Sequence, residues 1–209
     1  MLDLYWQEFL TVALVHLLAV ASPGPDFAVV VKVSVSNGRR SAIFASLGIG
    51  CAILIHVLYS LLGIGLLVSQ SVMLFNIVKY LGAAYLIYIG IQGLRQKATS
   101  TDMDLKSGEG LGAKQAFVVG FMTNGLNPKA TLFFLSLFTV IISPTTPLMV
   151  QFSYGLYMML ATSIWFILLS SILSTERVRQ QFLRLGHWFD RGMGTVLIAL
   201  GLRLMLSSR

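Results

Sequence analysis

The chain has 209 residues, of which 56% are hydrophobic and only 11% are charged. A soluble domain carries about 25% charged residues, so the apolar total exceeds what one soluble core of this size can hide, and lipid is the simplest solvent for the excess. The formal charge of +7 does not point to nucleic acid, because the basic residues sit in short segments between long apolar runs, where a membrane protein keeps its topology signals.

The first eight residues include Asp3 and Glu8 but no lysine or arginine, so the positive n-region of a signal peptide is missing and the first apolar run is expected to stay in the mature protein. That run covers about residues 6 to 36, with Pro23 and Pro25 near its middle. Proline removes a backbone donor and clashes with the preceding turn, so two of them around Gly24 interrupt or kink the helix. Asn37-Gly38-Arg39-Arg40 is a polar turn. A second run, 41 to 68, carries several glycines and one ionisable side chain, His56. Residues 69 to 71 are a tight turn, and a third run, 72 to 94, offers Gly82, Ala83, Gly90 and Gly93 as small faces for close helix packing. Such faces would permit a homodimer or serve packing within one subunit.

Residues 95 to 112 form the one extended polar segment, expected to be a loop without catalytic importance. The fourth run begins near Ala113, is broken at Asn127-Pro128-Lys129 and resumes as an apolar stretch. Ser143-Pro144-Thr145-Thr146-Pro147 is a rigid turn. A fifth run covers 148 to 173, residues 174 to 186 read as a basic amphipathic segment at the membrane surface, and a sixth run, about 187 to 206, is shortened by Asp190, Arg191 and Arg203.

The lysines and arginines orient the whole. Arg39, Arg40, Arg95, Lys97, Lys106, Lys114, Arg177, Arg179, Arg184 and Arg191 all fall in the segments after runs one, three and five, and the other turns hold none. The positive-inside rule then places both termini outside. Both halves also share one plan: a broken helix, an unbroken helix, and a glycine-containing helix that ends near Gly-Leu-Arg, at Gly93-Leu94-Arg95 and Gly201-Leu202-Arg203. Three spans per half force opposite orientations. The expected fold is therefore an all-α membrane protein of six helices in a 3+3 inverted repeat, helices 1 and 4 broken at proline motifs, with residues 1–95 and 113–209 as the repeats and 96–112 as the loop between them.

The polar groups inside the apolar runs cluster at the two breaks. Asp26 is the leading candidate, because a charge at mid-helix costs about 2.5–3.5 kcal/mol even on a lenient insertion scale. It reads either as a carboxylate that binds a substrate ammonium or a proton, or as a cap that holds the break together. Lys129 mirrors it in the second half, as a substrate contact, a snorkelling lysine or a neutralising partner for Asp26. Ser22, Asn124 and Asn127 add hydrogen-bonding groups beside unwound backbone shaped by Pro23, Gly24, Pro25 and Pro128. His16 is a candidate proton-handling group or a packing histidine, and His56 reads the same way. The histidines and the single cysteine have no metal-ligand spacing. No cofactor is expected, and no nucleophile-and-base pair supports an enzyme. Small zwitterions, protons and lipid are the partners this pattern suits.

At these residues the chain resembles the LysE/RhtB family of amino-acid exporters, and more closely its homoserine/threonine branch. The resemblance begins with Ser22-Pro23-Gly24-Pro25-Asp26-Phe27, continues through Gly38-Arg39-Arg40 and Ala42, and resumes at Lys79-Tyr80-Leu81-Gly82-Ala83-Ala84-Tyr85-Leu86. In the second half Phe117, Gly120, Asn124, Asn127-Pro128-Lys129 and Phe133-Phe134 carry it. It implies a secondary exporter in a bacterial inner membrane, driven by proton antiport, that moves threonine, homoserine, homoserine lactone or other neutral amino acids outward, with basic amino acids such as lysine or arginine as the alternative cargo; the alternative to an exporter is a channel or a non-transport membrane protein. Asp26 and Lys129 take the central roles.

Overall fold

The structure, a computed structural model, describes residues 2–95, 110–172 and 176–206, and among these residues every regular element is a helix. Seven run in chain order: α1 Leu2–Ala21, α2 Pro25–Gln70, α3 Val72–Arg95, α4 Ala113–Gly125, α5 Pro128–Val140, α6 Leu148–Ile172 and α7 Glu176–Leu206. Stretches of three of them are long and apolar enough to cross a membrane: Pro25–Gly63, Asn76–Arg95 and Leu148–Ile172. Most of the polar loop expected at 95–112 lies outside the described residues.

The outer surface shows which solvent this chain is built for. On α6, Leu156, Leu160, Ile164, Leu168 and Ile172 recur every four residues and are exposed, whereas Thr162, Ser163 and Ser170 are buried. Leu10, Leu14 and Leu17 make a similar stripe on α1, and Ile55, Leu58 and Leu62 make one on α2. Apolar seams of this length on the outside, with hydroxyls inside, are unstable in water and satisfied by acyl chains. The protein is an all-helical, multi-pass membrane protein.

Two helix boundaries converge on the centre. α1 stops at Ala21 and α2 starts at Pro25, with the Gly24 carbonyl accepting from Ala28 N at 2.9 Å to begin the new helix. α4 stops at Gly125 and α5 starts at Pro128. There Asn127 caps α5 through Oδ1, which accepts from Lys129 N at 3.0 Å, and proline occupies the first helical position, where its missing donor is harmless.

α2 is not one straight rod. Gly38 has φ 79° and ψ 170°, a left-handed conformation that a side chain resists. Phe27, Val30 and Val31 share a buried cluster with Ile49, Phe166 and Leu169, although Val30 and Ile49 would stand about 28 Å apart along a straight helix. The chain reverses at Gly38, and Val33 meets Ala42 and Ala45 in a second cluster. The polar turn expected at 37–40 is thus this reversal.

One expectation needs correction. Residues 174–186 and 187–206 read as a surface segment followed by a separate span, but α7 runs unbroken from Glu176 to Leu206. The charges that split the sequence pattern fall on different faces: Asp190 is buried, while Arg191 is exposed and stacks over Trp188 at 5.2 Å. α7 packs along α3, and the small faces of α3 are used within the chain. A Cβ at Gly90 would stand 2.7 Å from the Gly194 carbonyl oxygen, and one at Gly194 2.4 Å from that of Gly90.

Candidate functional site

His16, Ser22, Asp26, Asn124, Asn127 and Lys129 all line one cavity, with about 80 Å³ of room for water centres, where the α1–α2 and α4–α5 boundaries meet. They come from four helices and the two short connections between them, so only the tertiary fold gathers them. Phe133, Phe134 and Phe166 supply apolar wall. Gly24 and Pro25 also line this cavity, whereas Pro23 and Pro128 face a second one on the far side of the breaks.

Asp26 stands in the first turn of α2, where a carboxylate suits the partial positive charge of the helix start. Its Oδ2 accepts from Asn124 Nδ2 at 2.9 Å, which ties the first break to the second. Its Oδ1 is buried without a partner, and so is Asn124 Oδ1. Buried acceptors left open in this way are costly, and both belong to residues that line the cavity. Lys129 is exposed within this opening and acts electrostatically on Asp26.

His16 is fully buried on α1. Its Nε2 meets Thr162 Oγ1 of α6 at 3.1 Å, while Nδ1 has no partner. Ser22 does not turn toward Asp26; its hydroxyl donates to Asp190 Oδ1 of α7.

His56, read from sequence as a packing histidine as readily as a functional one, supports the site from behind. Its Nε2 lies 3.1 Å from the Asn124 carbonyl oxygen, so Nε2 carries the proton and donates. Nδ1 is then an acceptor, and Tyr59 Oη lies 2.6 Å from it. The ring also stacks flat on Phe134, 5.3 Å between centroids. His56→Phe keeps the stack and loses both hydrogen bonds, so it should destabilise the protein by about 1–3 kcal/mol, read as a lower melting temperature in detergent. A melting temperature equal to wild type would mean that the stack alone positions Asn124.

Asp190, counted in the sequence only as a charge that shortens the last apolar run, is the residue that sequence reasoning missed. Its flanking glycines, Gly186 and Gly194, one turn away on either side, are the signal that it faces inward.

The comparisons with known proteins agree with this architecture. Residues 17–208 match the family model for the LysE type translocator. The chain belongs to that family, and it is a membrane transporter rather than an enzyme. It is 31% identical over 201 residues to the threonine efflux protein of Salmonella typhi, covering 95% of this chain and 98% of that one. The threonine efflux protein of Escherichia coli K12 is 30% identical over the same shares. The uncharacterized membrane protein YahN of Escherichia coli K12 is 28% identical over 94% of this chain and 88% of its own. No solved structure matches this chain.

Proposed function

We propose that this translocator exports threonine or a similar small neutral amino acid across a bacterial inner membrane in exchange for protons. The observation that carries this reading is the pair of buried acceptors without partners, Asp26 Oδ1 and Asn124 Oδ1, on two residues that line one cavity together with Lys129. A zwitterion needs one fixed negative group, one fixed positive group and a dry enclosure. Its α-ammonium would donate to Asp26 and Asn124, and its carboxylate would meet Lys129. The names of the threonine efflux relatives favour this cargo, and so does the modest size of the cavity.

Alternating access needs two halves that move against each other. The reading here is six spans in a 3+3 inverted repeat, with α1 and the first part of α2 as one broken span and α4 with α5 as its counterpart. The α3–α7 packing supports it. Gly93 meets the Asp190 carbonyl and Gly201 meets that of Ala83, and the spacing that separates Gly93 from Gly201 carries Gly82, beside Ala83, onto Asp190. Lysines and arginines in the segments after spans one, three and five support a cytoplasmic side for those segments and a periplasmic side for both termini.

The test is counterflow of labelled threonine, homoserine and lysine in proteoliposomes, with and without a pH gradient. Saturable threonine or homoserine flux that the gradient accelerates is the expected result. Lysine flux alone would overturn the neutral cargo, and flux indifferent to the gradient would overturn antiport.

A further inference from the structure

Most of the polar side chains that line the Asp26 cavity have a partner or a task. Asp26, Asn124 and Lys129 suit the two charges of a zwitterion, Ser22 donates to Asp190, and Asn127 uses its oxygen to cap α5. His16 of α1 and Thr162 of α6 remain, and both line this cavity. Each is only 1% exposed. His16 Nε2 lies 3.1 Å from Thr162 Oγ1, the one hydrogen bond that either side chain makes among the described residues. Nδ1 is buried without a partner. The ring is held on two further sides, by Phe134 at 6.4 Å and Tyr157 at 6.2 Å between centroids.

Counting hydrogens shows what this pair lacks. A neutral imidazole carries one N–H and a threonine carries one O–H. Their mutual bond uses one of those two hydrogens and leaves the other without an acceptor. If the hydroxyl donates, Nδ1–H is left over, and Oγ1 keeps an open lone pair. If Nε2 donates, the hydroxyl hydrogen is left over, and Nδ1 is the open acceptor. In either tautomer the pair offers one donor and at least one acceptor, and a charged ring would offer two donors. A buried polar group in this condition needs a partner. An alcohol, with one hydrogen and two lone pairs, can answer both needs, whereas a methyl group answers neither.

We infer that His16 and Thr162 read a hydroxyl on the side chain of the cargo, and so select a hydroxylated amino acid over an apolar one of the same shape. This rests on the exporter reading above, in which the charges of the zwitterion meet Asp26, Asn124 and Lys129. Phe133, Phe134 and Phe166 supply apolar wall in the same cavity. A methyl is satisfied against such a wall, but a hydroxyl moved there from water without a partner is not. Threonine and valine have nearly the same shape and differ by that one exchange. The histidine is then a specificity-determining residue, and its contribution needs no change in its protonation.

The experiment uses the full chain in proteoliposomes, with counterflow of labelled threonine at equal pH on both sides and unlabelled threonine or valine as competitor. In wild type, threonine should compete about 5- to 150-fold better than valine, the factor expected for leaving a buried polar group unpaired. In His16→Phe the ratio should fall to within about threefold of unity, while valine competes as in wild type. The Thr162 hydroxyl left behind can turn back to a carbonyl of its own helix. If His16→Phe fails to fold, the isosteric Thr162→Val, which unties the ring, should lower the same ratio by at least about fivefold. A wild type that takes valine as readily as threonine would overturn the inference, with a resident water as the partner of the pair, and that result needs no variant. So would a His16→Phe that keeps the wild-type ratio, or one that loses threonine and valine alike. In each of these cases saturable flux leaves the exporter reading standing. A wild type that moves none of the amino acids would overturn the exporter reading itself.

Discussion

Asp26→Asn is expected to abolish amino-acid flux while the protein still inserts and folds. The substitution is isosteric. An asparagine can keep the bond to Asn124 Nδ2 through its carbonyl oxygen, so the tie between the two breaks survives. What disappears is the negative charge at Oδ1, the buried acceptor that has no other partner. A hydrogen bond to a charged group contributes about 1.5–3 kcal/mol, so substrate affinity should fall by roughly 10- to 150-fold. Counterflow beside a measurement of monodispersity in detergent checks this. Flux within about threefold of wild type would reduce Asp26 to a cap on α2.

Gly120→Ala should produce one of the larger losses of stability that a single methyl addition can cause in this bundle. A Cβ there would lie 2.0 Å from the Ala45 carbonyl oxygen, 2.8 Å from its carbonyl carbon and 3.0 Å from its Cα. All three are backbone atoms, so no rotamer change relieves the clash and α4 must move off α2. Overpacking of this kind costs about 1–3 kcal/mol, occasionally more, and for a chain of this size that lowers the melting temperature by about 2–12 °C. Transport should fall with it, because Asn124 lies one turn further along the displaced helix and carries the bond to Asp26. Gly192→Ala is the matched control. It is also helical, but nothing stands within 4 Å of its Cβ position, so it should be neutral or stabilising by up to about 1 kcal/mol. Equal losses in the two variants would show that helix separation is not the cause.

Several elements of the site were legible in sequence because their signals are local. Prolines end helices wherever they occur, so Ser22-Pro23-Gly24-Pro25-Asp26 and Asn127-Pro128-Lys129 marked the boundaries without any knowledge of neighbours. A carboxylate or ammonium in an apolar run stands out for the same reason. The helix end at Arg95 and the starts at Ala113 and Leu148 follow from where the apolar pattern stops and resumes.

Other features were not local, and the sequence misled or stayed silent. Residues 174–186 looked like an interfacial segment before a shorter span at 187–206, yet one helix runs from Glu176 to Leu206, because neighbouring residues of a helix point to different faces. His56 gave no sign that it would brace Asn124, a residue far along the chain. Ser22 looked like a site residue for Asp26 and turned instead to Asp190.

By itself, the sequence determined that this is a helical membrane protein with two interrupted segments and an ionisable group beside each interruption. Those properties depend on hydration cost and backbone sterics, which act residue by residue. The tertiary structure decided which polar groups share a cavity, which acceptors are left open, and that one lysine lines both cavities. Those depend on how closely helices approach at Gly90, Gly120 and Gly194, and a distance between helices is a property of pairs that no single stretch of sequence contains.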